Sequence, residues 1–187
     1  MGMQKALVAI ALVAGTARAD DQTLLHAELD PLTFANQPGY GGQIGVRHPA
    51  LHGVRIAIAS FALHVPDVLS GLLGNDGVDQ RVRPSGAIYG LYYVRPPGKG
   101  GLAIGASLRY LRIRYELESD PAMRIDVSEL SPEVIAGYQW HPLDGRFYVQ
   151  PWFALGITVW RSRGLGFAYE PPVSPFFTVN VGYELAL

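Results

Sequence analysis

The chain has 187 residues, a formal net charge of −1, ten tyrosines, seven phenylalanines, three tryptophans, 22 glycines and no cysteine. The absence of cysteine excludes disulfides and thiolate metal sites, and the nearly neutral charge argues against a nucleic-acid partner. Beyond the N-terminal segment, no window approaches the ~18 consecutive apolar residues of a membrane-spanning helix.

The first nineteen residues have the pattern of a secretory signal peptide. Lys5 precedes the apolar run Ala6–Ala14, and Ala17-Arg18-Ala19 forms an A-x-A cleavage site. An uncleaved anchor is the alternative, but the apolar run is too short to span a bilayer. Cleavage would remove two positive charges and change the net charge from −1 to −3. We therefore predict a signal peptide at 1–19 and one domain at 20–187.

Eight candidate strands follow from the two-residue alternation of apolar and polar side chains and from the turn residues between them. An expected bulge at Ser60-Phe61 interrupts the third. The predicted extents are Thr23–Thr33, Tyr40–Arg47, Val54–Leu63, Ala87–Arg95, Leu102–Tyr115, Val127–His141, Phe147–Trp160 and Phe176–Leu187.

The connections between these strands differ in length. Those after the second, fourth and sixth strands are short and rich in proline or glycine, and the connection after the first strand is also short. Those after the third, fifth and seventh strands are long and polar: His64–Gly86, Glu116–Asp126 and Arg161–Pro175. Short turns at the end that holds both termini, with long loops at the other end, are typical of membrane-spanning β-barrels.

Alternation predicts which side chains face lipid. In the seventh strand Phe153 and Leu155 belong to an apolar row, whereas Gln150 belongs to the opposite row. In the fifth strand Arg112 and Arg114 replace the apolar row after Tyr110. We interpret this change as the point where the strand leaves the hydrocarbon layer.

The last strand carries the strongest local signal, because apolar residues alternate with polar or small ones from Phe177 to Leu187. The residues Asn180, Gly182, Leu185 and Leu187 resemble the C-terminal signal that bacterial outer-membrane β-barrels present to their insertion machinery, although many members end in an aromatic residue. The resemblance is to the small eight-stranded class as a whole.

This resemblance implies an all-β, eight-stranded antiparallel transmembrane β-barrel in the outer membrane of a Gram-negative cell. Its expected partners are outer-membrane lipid, lipopolysaccharide and the barrel assembly machinery. We expect a monomer with no cofactor and no metal.

An eight-stranded barrel is only wide enough for side chains to fill it, so a conducting pore is not expected. Charged groups inside must pair with one another, and Arg109 and Glu133 are predicted to do so because counting along their strands places them at similar heights. A proton or ligand path is the alternative. The predicted lumen network comprises His26, Glu28, Arg47, Arg55, Arg109, Glu133, Gln150, Asn180 and Glu184.

Five arginines are expected near the outer ends of strands five to seven, where guanidinium groups could contact lipopolysaccharide phosphates. The alternative is a solvated rim balanced by nearby carboxylates. The arginines are Arg112, Arg114, Arg124, Arg161 and Arg163.

The connection after the third strand has two features. Pro66–Gly74 has the start and stop residues of a short helix, which could cap the barrel mouth or contact lipid or a partner. Asn75, Asp76 and Asp79 supply oxygen atoms as a calcium loop would. Their spacing matches no complete motif, which favours a turn at Asp76-Gly77.

We predict a structural or surface-interaction role through the long extracellular loops, and two other functional classes compete with it. Lipid A deacylase barrels resemble the chain in size, but their His-x-Ser pair is missing, and Ser119-Asp120 with His64 only faintly resembles the site of barrel palmitoyltransferases. A periplasmic, lipocalin-like binding barrel would need a polar exterior. We predict that the protein is not an enzyme.

Overall fold

The computed structural model describes residues 22–35, 39–51, 53–72, 74–94, 100–142, 145–164, 166–168 and 173–187. The predicted signal peptide lies outside these residues, as do parts of the predicted turns after the first, fourth and sixth strands.

The described residues form nine β-strands and two short helices. The helices are α1 (Pro31–Ala35) and α2 (Asp67–Leu72), and a single 3-10 turn covers Pro49–Leu51. The strands are β1 (Leu24–Leu29), β2 (Tyr40–Arg47), β3 (Val54–His64), β4 (Val78–Tyr93), β5 (Gly101–Leu117), β6 (Asp120–Gln139), β7 (Phe147–Ile157), β8 (Trp160–Arg161) and β9 (Val173–Ala186).

These strands close into one antiparallel barrel. β7 and β8 both pair with β6, and β8 continues the direction of β7 after a break at 158–159. The two segments therefore act as one strand of the wall, and the barrel has eight strands. β1 pairs with β9 through Leu25↔Leu185 and His26↔Glu184, which joins the two ends of the sheet. The predicted all-β, eight-stranded antiparallel barrel is confirmed.

The outer wall carries an apolar band with aromatic residues at both edges. Tyr138 and Trp140 are exposed near the end that holds the termini, which we call the terminal end. Tyr110 and Trp160 are exposed towards the opposite, far end, and both pair with Leu130. Tyr138 and Leu130 are eight positions apart on β6, or about 26 Å along the strand, and a strand tilt of about 35–45° reduces this to about 20 Å of height. This is the order of the ~25 Å apolar band of outer-membrane barrels, and it contradicts the polar exterior of a lipocalin-like barrel.

Several predicted boundaries were wrong. The first strand ends at Leu29 rather than Thr33, because Asp30 Oδ1 accepts a hydrogen bond from the Leu32 backbone N–H 2.9 Å away and caps α1. The fourth strand begins at Val78 rather than Ala87. The expected bulge near Phe61 is present as a register shift between Phe61 and Leu63.

The long polar connection predicted between strands five and six is absent. β5 continues to Leu117 and β6 begins at Asp120, so a two-residue turn joins them. The strands continue because their inward rows stay apolar here: Ile113, Tyr115 and Val127 are buried and belong to the hydrophobic cluster inside the barrel. Charged side chains on the outward rows concealed this alternation in the sequence. No helix in the described part of the chain is long and apolar enough to span a membrane.

Candidate functional site: the packed lumen and the arginine rim

The polar half of the lumen is organised around the buried carboxylate of Glu28. Its Oε1 accepts hydrogen bonds from Arg55 and, at 2.5 Å, from the Tyr148 hydroxyl. Its Oε2 accepts hydrogen bonds from Gln43 and, at 2.8 Å, from Asn180. Four strands therefore supply donors to one carboxylate, which gives the paired and fully bonded state that a buried charge requires.

The guanidinium of Arg55 has the reciprocal role. Besides Glu28, it donates to Tyr148 Oη at 3.2 Å and to Gln150 Oε1 at 3.3 Å. The Tyr93 hydroxyl also donates to Gln150 Oε1, at 3.0 Å. The cation is thereby held across the barrel from β3 to β7.

A second set of polar groups lies nearer the terminal end. Gln139 donates to Glu184 Oε1 at 2.8 Å, and His26 Nδ1 lies 3.7 Å from the same oxygen. The guanidinium carbon of Arg47 lies 3.9 Å from the centre of the Tyr93 ring, a cation–π distance.

The third cluster contains the expected ion pair of Arg109 and Glu133, whose Nε and Oε1 atoms are 2.8 Å apart. Ser107 donates to Glu133 Oε2 at 2.5 Å, and Arg109 donates to Ser174 Oγ at 3.0 Å. The register differs from the expected one, because Glu133 pairs with Ser107 and Arg109 pairs with Ser131. The arginine therefore reaches diagonally over two residues, a span within the range of a long side chain.

Sequence reasoning missed the buried carboxylate of Glu129. Glu129 is 1% exposed and accepts a hydrogen bond from Arg161, which had been assigned to the lipopolysaccharide rim. Glu129 and Glu133 are four residues apart on β6, so alternation places both side chains on the inner face of the wall. That alternation could have identified Glu129 as a lumen residue.

All nine predicted lumen residues are buried. They belong to the clusters around Glu28, Glu184 and Glu133 described above. Two glycines allow the walls to approach. A Cβ at Gly182 would overlap the Tyr148 ring and lie 2.6 Å from its hydroxyl, and one at Gly137 would lie 2.6 Å from Trp152 Cβ. A cavity of about 30 Å³ lies beside Arg109 and Glu133, which is room for about one water molecule.

The predicted C-terminal signal residues divide between the two faces of β9. Asn180 and Gly182 are buried in the lumen, whereas Leu185 and Leu187 are 43% and 61% exposed on the outer wall. The backbone N–H of Leu187 donates to the Thr23 carbonyl at 3.0 Å, so this end closes against the start of β1.

The remaining rim arginines differ in their surroundings. Arg114 Nε donates to Asp126 Oδ1 at 2.9 Å, and this hydrogen bond lowers the pKa of Asp126 below its ordinary value. Arg112, Arg124 and Arg163 are exposed. Among these four rim arginines, Arg114 is therefore ion-paired and the other three are exposed.

The connection between β3 and β4 contains the expected short helix, α2, followed by a turn at Gly77 with a φ of 73°. Asp79 lies in β4, where burial alone would raise its pKa, but hydrogen bonds from Arg81 and His64 outweigh that effect and lower the pKa. No group of three or more metal-ligating side chains occurs among the described residues.

No protein-family model and no curated protein matches the sequence. Among solved structures, the chain is similar to Neisserial surface protein A, with 12% identity over 89% of this chain and 95% of that chain and a TM-score of 0.51. It is also similar to the N-terminal β-barrel domain of Pseudomonas aeruginosa OprF, with 16% identity over 88% of this chain and 97% of that domain and a TM-score of 0.54. The chain thus has the fold of the small, eight-stranded outer-membrane β-barrels.

Proposed function

We propose that this protein is an outer-membrane β-barrel with a lumen closed by side chains, and that it has a structural or surface-interaction role. The observation that carries the proposal is the combination of an apolar band outside and buried ion pairs inside. A barrel with this polarity needs lipid around it, because its wall would otherwise expose a large apolar surface to water.

The packing of the lumen favours a role outside it. Three ion pairs and their hydrogen-bonding partners occupy the section that a channel would use, and Ile113 and Tyr115 of the hydrophobic cluster are buried towards the far end. Water cannot pass such a section as it passes the open lumen of larger porins. We expect no porin-like conductance in planar bilayers.

The far end offers the surface for interactions. β4, β5 and β6 continue beyond the aromatic edge at Tyr110, and their outward rows carry several arginines. In an outer membrane, these rows would lie at the level of the phosphate-rich lipopolysaccharide headgroups and beyond. Lipopolysaccharide contact at this rim is therefore part of the proposal.

Single-cysteine labelling tests the location and orientation, because the natural chain has no cysteine and gives no background. Ser119→Cys places a thiol in the exposed turn between β5 and β6, and Ala50→Cys places one in the exposed turn after β2. A membrane-impermeant maleimide should label Ser119→Cys in intact cells and Ala50→Cys only after the outer membrane is permeabilised. Equal labelling of both variants in intact cells, or of neither, would contradict the proposed orientation.

Lipid A modification is a second candidate because one observation favours it. His64 Nε2 lies 2.6 Å from Asp79 Oδ1 near the far end, as in a histidine–carboxylate pair that activates a nucleophile. Arg81 also binds Asp79, and no serine hydroxyl bonds to His64 in the described part of the chain. Mass spectrometry of lipid A from cells with the protein or its His64→Ala variant tests this candidate, and we expect identical lipid A from both.

A further inference from the structure

We propose that Arg83 and Arg112 form a binding site for the phosphate group of an outer-leaflet lipid on the outside wall of the barrel. This inference rests on the outer-membrane placement under "Proposed function". It goes further by assigning the contact to two residues, one of which was absent from the predicted rim.

The two arginines are direct cross-strand partners. Arg83 on β4 pairs with Arg112 on β5, and both side chains are exposed. Side chains in such pairs have Cβ atoms about 4.5–5.5 Å apart, and like charges in this arrangement repel. On the third strand, β6, Ser128 lies opposite Arg112, and the carboxylate at the diagonal position, Asp126, is ion-paired with Arg114. No ion pair involves either guanidinium in the described part of the chain.

In the adjacent pair of arginines, a carboxylate offsets the repulsion at each guanidinium. Two residues further along, Arg81 pairs with Arg114 in the same way. Here Asp79 lies 2.5 Å from Arg81 Nη2, and Asp126 lies 2.9 Å from Arg114 Nε. Each cation of that pair thus has its own carboxylate. Neither Arg83 nor Arg112 has a carboxylate within ion-pair distance, and Asp126, which is paired with Arg114, has only a longer-range coulombic interaction with Arg83.

The backbone holds the two arginines in place. A bulge interrupts the ladder between Arg83 and Gly86, where Pro84 has no N–H to donate. The Ser85 hydroxyl bridges the gap, because it donates to the Arg83 carbonyl at 2.7 Å and accepts from the Arg112 N–H at 2.9 Å. Both arginine backbones are thus tied to one side chain.

The position of the Arg83–Arg112 pair relative to the apolar band indicates the class of ligand. Arg112 lies two residues beyond Tyr110 on the same face of β5, or about 7 Å along the strand. Tyr110 marks the edge of the apolar band, so the pair lies at the depth of lipid headgroups. Two guanidinium groups side by side can each donate to the oxygens of one phosphate. A lipid phosphate would supply the missing anion while its acyl chains lie on the apolar wall.

The test compares lipid binding by refolded protein in detergent, measured by native mass spectrometry. The probes are diphosphoryl lipid A, the same lipid without its phosphates, and inorganic phosphate. The variant Arg83→Gln/Arg112→Gln removes the site, and Arg146→Gln is the control that removes an exposed arginine at the opposite, terminal end of the barrel. We expect the wild type to bind only the phosphorylated lipid, the first variant to lose about tenfold or more in affinity, and the control to change little.

Other outcomes overturn the inference in distinguishable ways. Equal losses in both variants would mean a general effect of net charge and no local site, and binding of the lipid irrespective of its phosphates would exclude phosphate recognition. Competition by inorganic phosphate at comparable concentration would mean a site for the free anion. Absence of any lipid binding would overturn the contact itself, while the labelling of Ser119→Cys would still report on the outer-membrane location. Thermal unfolding without lipid separates binding from structure: Arg83→Gln/Arg112→Gln should unfold at the same or a higher temperature because it removes a repulsion.

Discussion

The ion pair of Glu28 and Arg55 gives the sharpest test of the packed lumen. Both side chains are 1% exposed, and the carboxylate accepts four hydrogen bonds. Glu28→Gln would turn one oxygen into an amide N–H₂, which would face donors from the lumen, and it would leave the Arg55 cation without an anion. Breaking a buried pair in this way costs about 3–5 kcal/mol of unfolding free energy.

Arg55→Met should cost less than Glu28→Gln, because the Glu28 carboxylate keeps the hydrogen bonds from Tyr148, Gln43 and Asn180. The double variant should cost less than the sum of the single variants, with a coupling energy of about 1–3 kcal/mol. The exposed pair of Arg114 and Asp126 provides the control, since surface pairs contribute only about 0–1 kcal/mol.

Urea unfolding from lipid vesicles, followed by tryptophan fluorescence, measures these differences. The reasoning is refuted if Glu28→Gln costs no more than Asp126→Asn. It is also refuted if the costs of the two lumen substitutions add within about 0.5 kcal/mol, which is the behaviour of independent sites.

Three further perturbations test the wall, the close approach of β9 and the C-terminal end. Phe153→Arg, on the lipid face midway along β7, should destabilise the barrel by roughly 2–4 kcal/mol, whereas Val159→Arg near the far edge should cost about 0–1 kcal/mol in the same urea titration; equal costs would mean that the strand is oriented wrongly. Gly182→Ala should cost about 1–3 kcal/mol, since its methyl group would overlap the lumen tyrosine, whereas Gly90→Ala, which meets nothing within 4 Å, should be tolerated. Deleting Leu185–Leu187 should abolish assembly in cells, as judged by loss of the folded form on unheated gels, and unchanged assembly would show that these residues are not a signal.

Alternation in the sequence predicted the strands of the barrel and placed nine polar residues in its lumen. A residue's side of the wall depends only on its parity within a strand, so Gln150 and Glu133 could be placed inside without knowing which residues they meet. The register could not be read in this way. The diagonal contact of Arg109 with Glu133 depends on the stagger between β5 and β6, which the pairing of whole strands determines.

Charge on the outward rows concealed the far end of the barrel. Arg83 fell within a predicted loop because the mostly polar segment 79–85 interrupts the apolar pattern, yet β4 already begins at Val78. Outside the hydrocarbon layer, only the inward row needs to be apolar, and a search for lipid-facing residues misses such strands. The ion pair of Glu129 with Arg161 was missed for the same reason, since Arg161 was assigned to an exposed rim.

Heat modifiability tests directly whether this chain forms a closed membrane barrel. Protein refolded into detergent micelles or lipid vesicles should resist unfolding by SDS at room temperature and should migrate differently before and after boiling. The folded band should also resist protease while the Ser119→Cys thiol stays accessible, because the β5–β6 turn projects from the wall. Identical migration with and without boiling, together with complete digestion by protease, would contradict a barrel that lipid surrounds and buried ion pairs fill.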